Sequence, residues 1–528
     1  MRIPSLLIKL LIAATYMAWV VYYASDIPYW DDFDVHLKFL LDWLSSASWP
    51  ERLPLLLGRN GEHFVLTNKV ITLIDYYVFG NLNFFRLTLY GNILFIIALL
   101  LLSRRVNMPP LVGIWLLATI LIPHFPQACL WTITAIENLD IFLWAILAFS
   151  LAERSSLLAI PIMLIATLTQ GNGCLVASSW VAALLLAGRT KTALRWVPVA
   201  LACLLPFVLF PGSATHMASS SLGGKLRYIC IFLGASIAPS PQVAFPLGVI
   251  IVLGALSVLQ PLARTRPQLC AFLLWLFVTV GANAMARAGL GADYSFYENR
   301  YRVVSSLALV CALAGAWVIR TSTLQRRLVG ALGILVFIAI CTMKLPPALI
   351  DVEFRRQDLL QSALRFELFG TGLSYPDPHA PVQLVKGAEA RGIFTMPSPS
   401  PALFYAKLEN VPVLQSTGER IIQKLEWQLC SQEHLYLQGY SFDRHEQGAP
   451  IALISSGRGS YKLLRPPELR VDVARHHPRF DSLWSGLSAL IPLAELGPGP
   501  FVVTLGIQKR DGSLLLARKV HTINAPCG

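Results

Sequence analysis

Long apolar runs, separated by short polar loops, occupy the chain from residue 5 to about residue 345. Several of these runs approach the roughly 20 residues that an α-helix needs to cross a bilayer. A helix satisfies its backbone hydrogen bonds within one segment, as a bilayer requires. The pattern therefore predicts a polytopic α-helical membrane protein with about eleven transmembrane helices, near residues 5–23, 86–102, 109–124, 139–152, 157–170, 174–188, 196–211, 243–262, 269–286, 302–319 and 328–344.

Basic residues are concentrated in every second loop between the predicted spans. These loops are short and contain Arg104, Arg105, Arg154, Arg189, Lys191, Arg195, Arg264, Arg266, Arg320, Arg326 and Arg327. Short basic loops are typical of the cytoplasmic side of a membrane. The pattern predicts a cytoplasmic N-terminus, and an odd number of spans then predicts an extracytoplasmic C-terminal region.

The composition agrees with this class. The 528 residues are 55% hydrophobic and only 14% charged, whereas soluble proteins average about a quarter charged residues. A net charge of +13 is also typical of proteins that bind nucleic acid, but the cytoplasmic loops account for it, and we expect no nucleic-acid partner. The run at 5–23 has no small-residue cleavage site, which predicts a retained signal anchor.

The pattern changes after about residue 345, where proline and charged residues become frequent. Short alternating stretches predict strands at 434–439, 451–456 and 501–506. We therefore expect two domains, a transmembrane domain at 1–345 and a soluble periplasmic domain, α+β or β-rich, at 346–528. Cys430 and Cys527 lie in this polar region, where an extracytoplasmic environment favours a disulfide between them.

One apolar stretch, residues 226–241, is not counted among the spans. It must remain on the outer side for the charge pattern to hold, so we predict a surface or re-entrant helix there.

An acidic cluster begins the first outer loop, which we assign to residues 24–85. Asp31, Asp32 and Asp34 lie within four positions, and carboxylates this close repel one another unless a cation, a proton or a substrate offsets the repulsion. The following residues predict an amphipathic helix on the membrane, with Leu37, Leu40, Leu41 and Leu44 on one face and Asp42 on a solvated face. The cluster is our first candidate for catalysis.

Later in the same loop, Arg59, Glu62 and His63 bring three groups that pair charges or transfer protons into five positions. A Glu–His pair is commonly a surface pair, and a histidine binds metal only with partners. The loop is long enough to fold back toward the aspartates. Glu62 and His63 are therefore catalytic candidates and Arg59 is a candidate for substrate binding.

Three arginines, Arg287, Arg300 and Arg302, lie at a predicted outer edge, against the positive-inside trend. They indicate an anionic ligand, for which a lipid-linked phosphate is the obvious candidate. The alternative is salt bridges of Arg300 or Arg302 with Glu298 or Asp293. Glu298 is also a candidate for substrate binding.

Gln170 and Asn172 lie in a glycine-containing segment between two apolar runs. The segment predicts either a helix break that lines a cavity or an ordinary tight loop. Both residues are candidates for substrate binding.

Together these features resemble the GT-C superfamily of integral-membrane glycosyltransferases. The resemblance covers residues 1–345 and depends on the architecture and on the motif at 31–34. The Glu62–His63 and Arg300–Arg302 elements resemble uncharacterised bacterial members. In GT-C enzymes an acidic residue of the first outer loop is the base or a metal ligand, which implies Asp31, Asp32 or Asp34 here, with Asp31 and Asp32 as ligands of any divalent cation such as Mg or Mn.

The resemblance implies an inverting hexosyl- or pentosyltransferase at the outer face of the bacterial inner membrane. Its donor would be a polyprenyl-phosphate-linked sugar, and its acceptor a glycan, a lipid or an exported protein such as a pilin. The aspartate would accept the proton of the acceptor hydroxyl. The arginines or a divalent ion would stabilise the leaving phosphate.

Three other functions fit a polytopic protein. A glycan polymerase or ligase usually has its large outer loop between late spans, whereas the large outer region here is terminal. A transporter or flippase requires ionisable groups within spans and pseudo-symmetric halves, which the sequence does not show. A non-catalytic scaffold would bind partners through residues 346–528.

Overall fold

The computed structural model of the chain describes residues 2–105, 108–209, 220–410, 421–443, 448–476, 480–497, 499–509 and 513–524. These residues divide into two units. The first comprises residues 1–349 together with 384–395, and the second comprises residues 350–383 and 396–528. The predicted domain boundary at residue 345 lies close to this division, but the return of residues 384–395 to the first unit has no counterpart in the prediction.

Helices form most of the first unit. In chain order they are α1 (Arg2–Tyr23), α2 (Phe39–Ser45), α3 (Trp49–Leu57), α4 (Leu66–Phe79), α5 (Phe84–Arg105), α6 (Pro110–Ile120), α7 (Pro126–Leu130), α8 (Thr132–Glu153), α9 (Ala159–Thr169), α10 (Leu175–Leu186), α11 (Thr190–Leu209), α12 (Leu222–Gly234), α13 (Pro241–Thr265), α14 (Pro267–Arg287), α15 (Tyr294–Tyr297), α16 (Arg302–Ile319) and α17 (Thr323–Ala339). The next helix, α18 (Leu345–Phe369), begins in the first unit and belongs mostly to the second, whereas most of α19 (Val382–Ala390) belongs to the first. Segments Phe33–Lys38 and Ile340–Lys344 are π-helical, and Gly171–Cys174, Ala288–Leu290 and Asn299–Tyr301 form 3₁₀ turns.

Eight helical stretches among the described residues are long and apolar enough to cross a membrane: Pro4–Tyr23, Phe84–Arg105, Thr132–Glu153, Thr190–Leu209, Pro241–Thr265, Pro267–Leu290, Asn299–Ile319 and Thr323–Phe369. Three shorter apolar helices, Pro110–Ile120, Ala159–Thr169 and Gly171–Leu186, coincide with the remaining predicted spans. The chain is thus a polytopic helical membrane protein, as predicted. The number of eleven crossings stays a prediction, because these three helices are shorter than a straight crossing requires.

Small residues allow the apolar helices to pack closely. A Cβ at Gly91 of α5 would overlap the backbone of Ala135 in α8, and one at Gly248 of α13 would overlap the backbone of Cys230 in α12. Close backbone approach at small residues is typical of helix packing in membranes.

The helix predicted at 226–241 is α12, which ends at Gly234.

The first loop folds over the helix ends as a π-helical segment, three helices and a two-stranded hairpin, β1 (Arg59–Asn60) and β2 (His63–Phe64). Leu37 and Leu40 are buried, whereas Leu41 and Leu44 are only half-buried. Asp42 forms an ion pair of 2.5 Å with Lys38, as expected for a solvated face.

Residues 384–395 pack on this first-loop region. The backbone N–H of Leu82 donates to the carbonyl of Ile393 at 2.8 Å. The ring of Phe84 meets that of Phe394 edge to face, at 5.3 Å between centroids. The first unit is therefore built from two separate stretches of chain.

Strands are the main elements of the second unit: β3 (Lys407–Asn410), β4 (Ile421–Cys430), β5 (His434–Asp443), β6 (Gly448–Ser456), β7 (Gly459–Leu464), β8 (Gly486–Pro492), β9 (Phe501–Lys509) and β10 (Leu514–Ile523). Short helices α20 (Val471–His476), α21 (Phe480–Leu483) and α22 (Leu493–Leu496) and a 3₁₀ turn at Pro401–Leu403 accompany them. One antiparallel sheet has the order β10-β9-β6-β7-β3 and the other β4-β5-β8.

The two sheets share one apolar core, to which Leu437, Ile454, Leu487 and Val503 contribute. The three predicted strands and the β-rich character of this region are confirmed. Cys430 is disulfide-bonded, while its predicted partner Cys527 lies outside the described residues.

Candidate functional site

A cavity of about 550 Å³ lies in the first unit where α8 and α16 begin and where α9 and α14 end. Its charged lining residues are Asp31, Glu62, His63, Glu137, Arg287 and Arg300. Neutral polar side chains add Asn60, Thr134, Asn138, Gln170, Asn172, Thr279, Asn283 and Tyr301, and the aromatic side chains are Trp30, Trp131, Phe142 and Phe232. Segments far apart in sequence thus converge on one polar chamber.

Seven of the predicted site residues line this cavity: Asp31, Glu62, His63, Gln170, Asn172, Arg287 and Arg300. Five others do not: Asp32, Asp34, Arg59, Glu298 and Arg302. The three aspartates of the motif therefore occupy different environments.

Asp31 is the aspartate of the motif that faces the cavity. It follows Trp30, whose φ of +48° is uncommon for a bulky residue. Burial raises the pKa of the Asp31 carboxyl, the neighbouring charge of Asp34 raises it further, and Arg300 lowers it. A half-buried carboxyl with a raised pKa is suited to accept a proton.

Asp32 is buried and positions the backbone. Its Oδ2 accepts the N–H of Tyr29 at 3.1 Å and its Oδ1 accepts the N–H of Ile133 at 2.9 Å. Ile133 lies in the first turn of α8, where unpaired N–H groups attract a carboxylate. His36 Nε2 lies 4.0 Å from the same Oδ1. Asp32 therefore attaches the first loop to the start of α8.

Glu62 lies in the hairpin turn and forms an ion pair with Arg287 at the end of α14. The backbone shape is set by Gly61, whose φ is +56°, and by Arg59, whose guanidinium donates to the Glu62 carbonyl at 2.6 Å. That guanidinium also covers the rings of Phe64 and Phe207. Arg59 therefore positions the hairpin and does not itself face the cavity.

His63 lies beside Glu62, with 3.6 Å between Nε2 and the Glu62 carboxylate. Burial lowers the pKa of the imidazole to about 4, which Glu62 opposes and the nearby arginines favour. The ring packs against Gly171, where a Cβ would come within 2.8 Å of Nδ1. His63 is therefore neutral at physiological pH.

Arg300 lies on the cavity wall with its Nε 3.4 Å from Glu298, and its guanidinium covers the rings of Trp131 and Tyr301. The salt-bridge alternative thus holds for Arg300 with Glu298. Arg302 is buried away from the cavity, where it donates to the carbonyls of His124 and Phe296 at 3.4 and 3.5 Å. Arg302 therefore does not line the cavity, and its predicted contact with a phosphate stays a prediction.

The helix break predicted at Gln170 is present and lines the cavity. Helix α9 ends at Thr169, a 3₁₀ turn follows, and α10 begins at Leu175. The side chain of Gln170 donates to Asn138 of α8. A Cβ at Gly173 would overlap the backbone of Ala166, so the turn packs directly on α9.

The cavity is also lined by residues that the sequence pattern did not indicate. Glu137 of α8 is only 8% exposed, and Thr279 and Asn283 lie on α14. The available signal was the position of Glu137 at the start of an apolar run, since ionisable residues within membrane segments are commonly functional. The expectation that the spans contain no ionisable groups is therefore wrong for α8, a span-length apolar helix that contains Glu137. The two residues of α14 gave no such signal, because threonine and asparagine are tolerated in membrane helices.

The carboxylates of the motif do not fit a metal site formed by Asp31 and Asp32. Both oxygens of Asp32 accept backbone N–H groups, and Arg300 lies near Asp31. Among the described residues, no three His, Cys, Asp or Glu side chains form a group able to hold a metal ion. Asp31 remains as a single carboxylate of the motif on the cavity wall.

The fold and the site define a polytopic helical membrane protein with a charged chamber at one end of its helices. The chain matches no protein-family profile, no curated protein and no solved structure.

Proposed function

We propose that this protein is a membrane glycosyltransferase of the GT-C type, which transfers a hexose or pentose from a polyprenyl phosphate to an acceptor hydroxyl. The observation that carries the proposal is that Asp31, Arg287 and Arg300 line one cavity of a polytopic membrane protein. A general base and two phosphate-binding cations are the groups that such a transfer requires.

The positions of the basic loops support activity on the outer face of the bacterial inner membrane. Arg154 follows the end of α8 and Arg266 precedes the start of α14, whereas the cavity lies at the other ends of both helices. The positive-inside rule assigns the basic ends to the cytoplasm. The cavity then lies on the periplasmic side.

In the proposed reaction, Asp31 accepts the proton of the acceptor hydroxyl as its oxygen attacks the anomeric carbon. The bond from that carbon to the phosphate oxygen breaks, and its electron pair leaves with the lipid phosphate. Attack opposite the leaving group inverts the configuration at the anomeric carbon. Arg287 and Arg300 stabilise the charge that grows on the phosphate, as preorganised cations do in a partly desolvated site.

Membrane embedding is consistent with such a donor, because a polyprenyl chain stays in the bilayer while its phosphate reaches the chamber. Hydroxyl-bearing acceptors on the same side are surface glycans, glycolipids and exported proteins such as pilins. The β-rich unit is the candidate for recognising them.

The test compares purified wild type with Asp31→Asn, using a synthetic polyprenyl-phosphate sugar and cell-envelope acceptors. We expect Asp31→Asn to lose transfer by at least about 100-fold, the usual contribution of a general base, with normal membrane insertion. Asp42→Asn is the matched control, since Asp42 lies in the same loop but pairs with Lys38. Surface glycans and pilin masses of strains carrying either variant identify the acceptor. Full activity in Asp31→Asn contradicts the proposal.

A further inference from the structure

The deep part of the cavity is polar although apolar membrane helices surround it. Along α14, Thr279, Asn283 and Arg287 all line the cavity. Thr279 lies eight residues before Arg287, which is about 12 Å along a helix. The charged groups at the end of α14 are thus separated from a second, uncharged polar region.

Some polar side chains of this region are already paired with one another. Gln170 donates to Asn138, and the Tyr228 hydroxyl donates to Asn283 at 2.5 Å. These pairs fix the orientation of the wall without involving a ligand.

Five buried polar atoms of cavity-lining residues have no hydrogen-bond partner among the described residues, and three of them, Nδ1 of His63, Nε of Arg300 and Oη of Tyr301, belong to the hairpin and to the segment before α16. The other two belong to the uncharged region. They are Oγ1 of Thr279, a residue only 8% exposed, and Oδ1 of Asn172. The backbone carbonyl of Asn172 accepts the indole N–H of Trp275 at 2.9 Å. Trp275 lies one turn before Thr279 on α14. The two groups are therefore close to the same part of the chamber.

A buried polar group without a partner costs free energy, and such groups indicate a missing ligand when they face a cavity. The cavity is the deciding feature, because Thr119 of α6 also has a buried, unpartnered hydroxyl but does not line the chamber. The hydroxyl of Thr279 and the amide oxygen of Asn172 match the hydroxyl groups of a sugar.

We propose that Thr279 and Asn172, together with the carboxyl of Glu137, form a specificity subsite for the hydroxyl groups of an uncharged pyranose. This inference depends on the proposed function and adds the class of sugar to it. The Glu137 carboxyl forms hydrogen bonds with sugar hydroxyls, while the amide oxygen of Asn172 can only accept a hydrogen bond and therefore disfavours the carboxylate of a uronic acid, which has no proton to donate. The apolar rings of Phe142 and Phe232 on the same wall contact the apolar edges of the pyranose.

The experiment measures binding to the purified full-length protein in lipid nanodiscs. The three ligands are undecaprenyl phosphate, undecaprenyl-phosphate-linked glucose and undecaprenyl-phosphate-linked glucuronic acid. In wild type we expect the linked glucose to increase the affinity at least about tenfold over the bare lipid phosphate, and linked glucuronic acid not to increase it. We call the ratio of the affinity for the glucose-bearing lipid to that for the bare lipid phosphate the glucose increment.

Thr279→Val replaces the hydroxyl by a methyl group of similar size. We expect it to reduce the glucose increment about threefold to tenfold, the effect of one neutral hydrogen bond, with unchanged binding of the bare lipid phosphate. Thr279→Ser restores the increment, and Thr119→Val is the control that changes nothing. The structural alternative, a packing role for Thr279, predicts that both lipids weaken equally in Thr279→Val.

The outcomes separate this inference from the proposed function. Equal binding of undecaprenyl phosphate with and without glucose in wild type overturns the sugar subsite and leaves lipid-phosphate binding intact. Binding of neither lipid contradicts the proposed function itself. An unchanged glucose increment in Thr279→Val also overturns the subsite.

Discussion

Arg287 and Glu62 form an ion pair on the cavity wall although 225 positions separate them in the chain. The pair joins the hairpin of the first loop to the end of α14. Because the Glu62 carboxylate occupies the cation that we assign to phosphate, it competes with an anionic ligand. Removal of the Glu62 charge and removal of the Arg287 charge should therefore change the affinity for an anionic ligand in opposite directions.

We predict that Glu62→Gln tightens the binding of undecaprenyl phosphate a few-fold and that Arg287→Gln weakens it by at least about tenfold, since a charge-assisted bond is lost. Binding is measured in nanodiscs at fixed ionic strength. Arg227→Gln is the control, because Arg227 belongs to a nearby exposed pair with Asp293 but does not line the cavity. Weaker binding in Glu62→Gln would contradict competition.

Asp31 and Asp32 should behave differently on substitution. Asp31→Asn is expected to lose transfer while its thermal stability stays at the wild-type level. Asp32→Ala leaves the N–H groups of Tyr29 and Ile133 without their acceptor and should destabilise the protein by about 1–3 kcal/mol. Thermal unfolding and transfer are measured on both variants, and a stable but inactive Asp32→Ala would return Asp32 to the catalytic candidates.

The pH dependence should report the pKa of Asp31. A base must be deprotonated, so the rate should fall as pH decreases through its pKa, and burial and Asp34 raise that pKa. Asp34→Asn removes a negative neighbour, lowers the pKa of Asp31 and shifts the acidic limb of kcat/KM toward lower pH. His63 has a pKa of about 4 and therefore stays neutral above pH 5. His63→Gln should consequently leave the pH profile of kcat/KM at the same position between pH 5 and 8. A shift toward higher pH in Asp34→Asn would exclude Asp31 as the titrating base.

Gly173→Ala should disturb the cavity wall by a steric overlap, without removing any polar group. Its Cβ would overlap the backbone of Ala166, so the turn that carries Gln170 and Asn172 must move away from α9. We expect lower thermal stability and lower affinity for the sugar-bearing lipid. Gly254→Ala is the matched control, since a Cβ there meets nothing within 4 Å. Equal melting temperatures of the two variants would show that the turn tolerates the shift.

The hydrophobic pattern predicted the helices well, because long apolar segments have few alternatives in a bilayer. Clustering of rare charges also selected much of the chamber, including Asp31, Glu62 and Arg287. The sequence did not distinguish Asp31 from Asp32, because the partner of Asp32 at Ile133 lies 101 positions away. Thr279 was missed because its position on the cavity wall depends on how the helices pack.

The return of residues 384–395 to the first loop has a consequence for biosynthesis. Leu82 and Phe84 leave the ribosome long before Ile393 and Phe394, with which they form a backbone hydrogen bond and an edge-to-face ring pair. The loop that carries Asp31 therefore completes its packing only after every apolar helix of the first unit has been synthesised. A chain released directly after α18 would contain all of these helices and would still lack part of the first-loop structure.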